Sequence, residues 1–151
     1  MPPSDPTSPQ PADAARTPRY GSRAITRGIE VVVQPTYLED KSDPDTGQYV
    51  FMYRITIRNH GPEPVQLLSR QWLITDAHGR ASTVQGDGVV GQQPRLETGG
   101  AFVYQSFCPL ATRWGTMEGS YTFTTEGGEP IQAAIARFYL VSSPQPSGAA
   151  V

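Results

Sequence analysis

The sequence predicts an antiparallel β-sandwich of the immunoglobulin or fibronectin type III kind, with about seven strands, and three observations predict it. Apolar residues recur with a period of two, and no stretch sustains the 3.6-residue period of a helix. Gly and Pro number 15 each among 151 residues, and they cluster with Asp at short intervals, as turns between strands do. The hydrophobic fraction is 37% in a chain the size of one domain, enough for one small core and not for two.

In chain order, residues 1–23 hold six prolines (Pro2, Pro3, Pro6, Pro9, Pro11 and Pro18) and five apolar residues, too few to offset the entropy of ordering. They read as a disordered tail, as do residues 142–151, where Ser143-Pro144-Gln145-Pro146-Ser147-Gly148 repeats that composition. The folded domain is therefore expected over residues 24–141. Within it Tyr49, Phe51, Tyr53, Ile55 and Ile57 alternate with Val50, Met52, Arg54, Thr56 and Arg58. That spacing predicts a strand with one buried aromatic and branched face and both arginines on the other. Ile29–Val33, Val65–Thr75, Phe102–Cys108, Tyr121–Thr125 and Ile131–Leu140 read as further strands. Their boundaries carry turn residues such as Asp43-Pro44-Asp45-Thr46-Gly47 and Glu126-Gly127-Gly128. Ala133, Ala134 and Ala136 are good helix formers, but the run is short and sits inside a strand-like segment. Trp72, within an alternating strand, is expected in the core between the sheets.

Charge and composition exclude whole classes of function. Twelve basic and 14 acidic residues leave a net charge of −2, which gives no basic field to gather nucleic acid or anionic lipid. No run of 18 apolar residues and no signal-peptide plan occurs, so the chain reads as soluble and cytoplasmic, with no membrane partner. The single cysteine, Cys108, excludes an internal disulfide and a multi-thiolate metal site, and reads as a small buried hydrophobe. His60 and His78 stand beside Gly61 and Gly79 at turns, in no zinc-binding spacing. The acidic stretch Glu39–Asp45 lacks the spacing of a calcium loop and reads as a solvated hairpin turn. No catalytic constellation, cofactor or metal site is expected.

One motif carries candidate chemistry. Gly86-Asp87-Gly88-Val89-Val90-Gly91 matches G-x-G-x-x-G, in which backbone N–H groups approach a diphosphate unobstructed by side chains. Gln92-Gln93-Pro94 follows and blocks the helix that a dinucleotide site needs. Two readings stay open. One is a set of bulges and turns that require positive φ. The other is an anion-binding loop at Gly86, Gly88 and Gly91, helped by Arg54 or Arg58 if they lie near.

Read together, several segments resemble the ApaG family. They are Tyr49–Ile57, Gln66–Asp76 with Gly79, Val84–Pro94, Cys108–Thr112 and Gly115–Tyr121, in an order that spans about residues 26–141. Gln71 stands where that family usually has His, Arg113 and Ala136 where Pro is usual, and Thr98 replaces Pro in the turn Leu96–Gly99. The resemblance implies a fibronectin type III-like sandwich and an association with cobalt and magnesium efflux or resistance. It also implies, from similar domains in eukaryotic F-box and polymerase-associated proteins, a role in protein–protein interaction. The expectation is a non-enzymatic binding module with a protein partner and an indirect link to cobalt and magnesium. The alternative is a pyrophosphate- or nucleotide-binding protein that uses the Gly86–Gly91 loop.

Overall fold

A computed structural model describes residues 19–142, so of the tails expected at 1–23 and 142–151 all but residues 19–23 and 142 lie outside the described residues. One sheet consists of β1 (Ser22–Thr26), β2 (Ile29–Tyr37), β3 (Tyr49–Asn59) and β7 (Ala101–Leu110), in the order β1-β2-β3-β7. The other consists of β4 (Val65–Asp76), β5 (Ala81–Asp87), β8 (Trp114–Thr125) and β9 (Pro130–Val141), in the order β5-β4-β8-β9. The short β6 (Arg95–Leu96) pairs with the first residues of β4. All pairings are antiparallel and the two sheets form a sandwich, as the periodicity predicts.

The six strands legible in the sequence fall within β2, β3, β4, β7, β8 and β9, while β1, β5 and β6 are additional. The domain boundary also needs correction. Ser22 and Arg23, assigned to the tail, belong to β1, because their backbone pairs with Val33 and Val32 and the Ser22 hydroxyl donates to the Ala136 carbonyl at 2.6 Å. Ser142, assigned to the other tail, is buried, and its N–H donates to the Arg113 carbonyl.

The core lies where the alternation of β3 put it. Tyr49, Phe51, Tyr53, Ile55 and Ile57 are buried, and across the sandwich they meet Trp72, Met117, Tyr121, Phe138 and Leu140 in one cluster. Trp72 sits at its centre, edge-on to Tyr53 (5.5 Å between ring centroids), Tyr121 (6.4 Å) and Phe138 (5.9 Å). β8 crosses β4 so closely that a Cβ on Gly119 would lie 1.9 Å from the Gln71 carbonyl oxygen, and the β8–β9 register shifts at that point. On the outer face, the Gln71 side chain links β4 to β8 by accepting from the Ser120 and Thr122 hydroxyls.

The two long sides of the sandwich differ. Along one, β1 is fastened to β9. The Tyr139 N–H donates to the Tyr20 carbonyl, the Ala134 N–H to the Thr26 hydroxyl, and the Ser22 hydroxyl to Ala136. Along the other, β7 and β5 end their sheets, and among the described residues no backbone pairing joins them to each other.

Candidate functional site

The glycine motif lies at the end of this second side. Gly86 is in β5 opposite Arg70 of β4, and the Arg70 guanidinium donates to the carbonyls of Asp87 (3.0 Å) and Gly88 (2.8 Å). A Cβ on Gly86 would lie 2.8 Å from that guanidinium, so glycine leaves room for the arginine. Gly88 has φ +64°, and a Cβ there would lie 2.2 Å from the Gln92 carbonyl oxygen. Its N–H donates to the Leu68 carbonyl, while Val89 and Gln92 exchange two backbone hydrogen bonds. Gly91 has φ +79° with open space around it. The motif thus makes the connection from β5 to β6, stitched to β4 by Arg70 and by the Gln93 side chain, which donates to the Leu68 carbonyl.

Arg70 also borders a buried group of tyrosines. The Tyr104 and Tyr121 hydroxyls are hydrogen-bonded to each other. Burial pushes both phenols above their ordinary range, and the Arg70 charge acts in the opposite sense. Tyr53 shifts the same way, again chiefly by burial.

Arg54 and Arg58 are not part of this arrangement. They lie on the exposed face of β3, in the other sheet, opposite Gln34 and Glu30 of β2. Arg54 lines a shallow recess with Arg19, Gln34 and Met52. The arginine that does accompany the glycines is Arg70, in the sequence one of several arginines scattered through loops and strand ends, and its pairing with Gly86 was missed because only the β4–β5 register brings them opposite each other.

Glu30 is a second residue that sequence reasoning missed. Although it lies on the outer face of β2, it is 6% exposed, covered by Arg23 at 2.6 Å and His60 at 2.9 Å. Burial by itself would raise its carboxyl, but hydrogen bonds from His60 and Arg23 and the Arg23 charge outweigh that and hold it below the usual carboxylate range. Arg23 pairs with Val32 and Ile25 with Glu30, so a reading that assigned Arg23 to the tail could not find the cluster. Cys108 is buried, and burial pushes its thiol up to about 11, which keeps it protonated near neutral pH. His78 lies in the β4–β5 turn, where the Asp76 carboxylate accepts from the N–H groups of His78 and Arg80. The acidic stretch forms two short 3-10 turns, Glu39–Lys41, which ends at Ser42, and Pro44–Thr46, which ends at Gly47 with φ +73°. Among the described residues no group of three or more His, Cys, Asp and Glu side chains comes together, and no helix is long and apolar enough to cross a membrane.

Two antiparallel sheets packed face to face around one aromatic core define a fibronectin type III-like β-sandwich domain. The family model described as the ApaG domain matches residues 39–125. The Protein ApaG of Brucella anthropi is 53% identical over 118 residues, covering 78% of this chain and 91% of that protein. That of Rhizobium meliloti is 50% identical over 120 residues, covering 80% and 92%. The crystal structure of the ApaA protein of Bordetella pertussis superposes with a TM-score of 0.76 at 44% identity, over 81% of this chain and 99% of that one. The chain belongs to the ApaG family.

Proposed function

We propose that the chain is a non-enzymatic binding module that engages a protein partner along the side of the sandwich where β7 and β5 end their sheets. The observation that carries this is β7 itself. It is a ten-residue edge strand without a charged residue, and Val103 and Phe107 on its outer face are 45% and 55% exposed. Edge strands of that length are ordinarily blunted by charges, bulges or cover, because their unpaired N–H and C=O groups recruit other strands. Here Pro109, near the end of β7, is the one residue of the strand that blunts it. On the edge of the other sheet, Val84 of β5 and Val90 of the glycine connection are exposed apolar residues as well. Such an edge suits a partner that adds an extended segment, its backbone pairing with β7 and alternate side chains resting on Val103 and Phe107. A cytoplasmic setting and an indirect link to cobalt and magnesium handling accompany this reading.

The test places a photo-crosslinking amino acid at exposed Gln105, in the middle of β7, with Arg80 in the β4–β5 turn as the control position. The expected result is a discrete adduct to another protein at position 105 that disappears when Val103→Lys and Phe107→Lys are added. An adduct that forms equally at position 80, or survives both substitutions, overturns the proposal.

A second reading assigns pyrophosphate or nucleotide binding to Gly86, Gly88 and Gly91. The open space around Gly91, next to the positive φ of Val90, favours it. Against it stand the N–H groups of Gly88, Val89 and Gln92, which already donate to carbonyls.

A further inference from the structure

A cleft of about 850 Å³ opens at the end of the sandwich where β2, β3 and β9 meet the connection between β7 and β8. Its volume falls in the range of small-molecule sites. Arg19, Tyr20, Tyr37, Glu39, Arg113 and Tyr139 are among its lining residues and carry charges or aromatic faces. They come from four separate stretches of sequence, brought together by the fold.

The walls are aromatic and fixed. Tyr37 packs on Phe51 with ring centroids 5.3 Å apart, and Phe51 is fully buried. Tyr20 is held by its carbonyl, which accepts from the Tyr139 N–H, and adopts φ +63°, a left-handed conformation that a tyrosine rarely takes. Backbone strain of this kind persists where the surroundings enforce it, and it concentrates at binding sites. Tyr139 is 43% exposed, a large ring on the outward face of a strand whose residues alternate between buried and exposed.

The cationic groups stand ready. Arg23, Arg27, Arg95 and Arg137 each pair with a carboxylate. Arg19 and Arg113 make no ion pair among the described residues. Arg19 lies over the Tyr20 ring, 5.1 Å from its centroid, which orders the guanidinium without using its charge on an anion. The Arg113 backbone is pinned by its carbonyl, which accepts from Ser142. The adjoining recess adds Arg54 beside Arg19, and among the described residues Glu39 is the one acidic residue lining the cleft. Guanidinium forks match phosphate and carboxylate geometry, and tyrosine faces stack on planar rings.

We infer that this cleft binds a small molecule in which a planar aromatic ring carries a phosphate or carboxylate group, the ring against Tyr20, Tyr37 or Tyr139 and the anion on Arg19 and Arg113. The site is separate from the glycine connection and from β7, so it stands or falls independently of the proposed protein-binding role.

The test is calorimetric titration of the full chain with four probes: 1-naphthyl phosphate, 1-naphthoate, 1-naphthol and inorganic phosphate. The expected result is saturable binding of one or both ring anions, with 1-naphthol and inorganic phosphate at least about tenfold weaker, since each lacks half of the recognition. The tighter of the two ring anions identifies the anion as phosphate or carboxylate. Arg19→Ala, Arg113→Ala and Tyr139→Ala alter exposed side chains and should each weaken the ring anion by about tenfold with the melting temperature unchanged. Arg80→Ala, remote from the cleft, should bind as the wild type does. The inference is overturned if neither ring anion binds at millimolar concentration, if inorganic phosphate or 1-naphthol binds as tightly as the ring anions, or if the Arg19 and Arg113 variants bind unchanged.

Discussion

The two long sides of the sandwich close by different means. On the β1–β9 side, side-chain and backbone hydrogen bonds cross from sheet to sheet, so its polar groups are used within the molecule. On the other side, among the described residues, no hydrogen bond joins β7 to β5, and the bonds that cross from sheet to sheet lie inside the edges, between the Tyr104 and Tyr121 hydroxyls and from the Asn59 amide to the Leu96 carbonyl. There the end of the sheet is held by Arg70 and the glycine connection, and the gap between sheets is filled by Tyr104, Tyr121 and Trp72. The closed side has little left to offer a partner, whereas the open one presents a free backbone edge beside exposed Val103, Phe107 and Val84. The contrast indicates that a glycine-rich motif can serve to finish an edge, while the neighbouring strand with no motif at all is left exposed, which is why the proposed function is placed on it.

The largest expected effect tests the filling that both sides share. Trp72→Ala removes the ring at the centre of the aromatic cluster and should cost about 3–5 kcal/mol, as truncation of a buried aromatic does. Chemical denaturation of the purified variant measures it. A loss below about 1 kcal/mol would mean that the open side is not closed by its aromatic core.

Gly88→Val probes the glycine connection itself. With φ +64° and a Cβ placed 2.2 Å from the Gln92 carbonyl, the change should cost about 2–3 kcal/mol whether or not pyrophosphate is present. Gly91→Ala has the same kind of φ but open space, and should cost only about 1 kcal/mol. Equal costs at the two positions would break the distinction between the stitched and the open glycine.

Glu30 supplies a pH-dependent contribution that neither side shares. In the folded chain its carboxyl is held below its ordinary value of 4.5, so the unfolded chain takes up the proton first. The stability it contributes is therefore complete above that value and is lost as pH falls through the lower folded one. Melting temperature followed from pH 7 downward should fall more steeply in the wild type than in Glu30→Gln below about pH 5. Parallel curves would show that the Arg23 and His60 hydrogen bonds do not favour the charged form.

The smallest effects set the two sides directly against each other. Ser22→Ala leaves the Ala136 carbonyl without its hydroxyl donor on the closed side and should cost about 1 kcal/mol. Phe107→Lys on the open side should change stability by no more than about 0.5 kcal/mol, because the ring is more than half exposed. A larger cost at Phe107 would mean that β7 is part of the packed structure rather than a free edge.

What the sequence revealed follows the same division. Strands with one face in the core announce themselves by alternation, as β3 does through Tyr49, Phe51, Tyr53, Ile55 and Ile57, and Trp72 could be placed from its strand alone. β5 could not be found, since nearly all its residues are exposed and no period-two signal survives. β1 was lost because its one large apolar residue, Ile25, points outward, leaving nothing in Ser22–Thr26 that looks buried. The first half of β8 was hidden because Gly115 and Gly119 interrupt any apolar alternation, and they are there for close approach to β4. The glycine motif was visible as a pattern, yet its clamp, Arg70, depends on strand register, and the cleft around Arg19 and Arg113 depends on four distant segments meeting. Local patterns are legible in a chain, and sites assembled by the fold are not.

The glycine connection finishes the open side, and its N–H groups are spent on carbonyls of the fold rather than left for an anion. Amide-resolved NMR of the full chain titrated with pyrophosphate tests it most directly. The account predicts that the amide resonances of Gly88, Val89 and Gln92 stay in place at millimolar pyrophosphate, because their N–H groups already donate to the Leu68, Gln92 and Val89 carbonyls. Saturable shifts concentrated at those three amides would contradict it and make the loop an anion site.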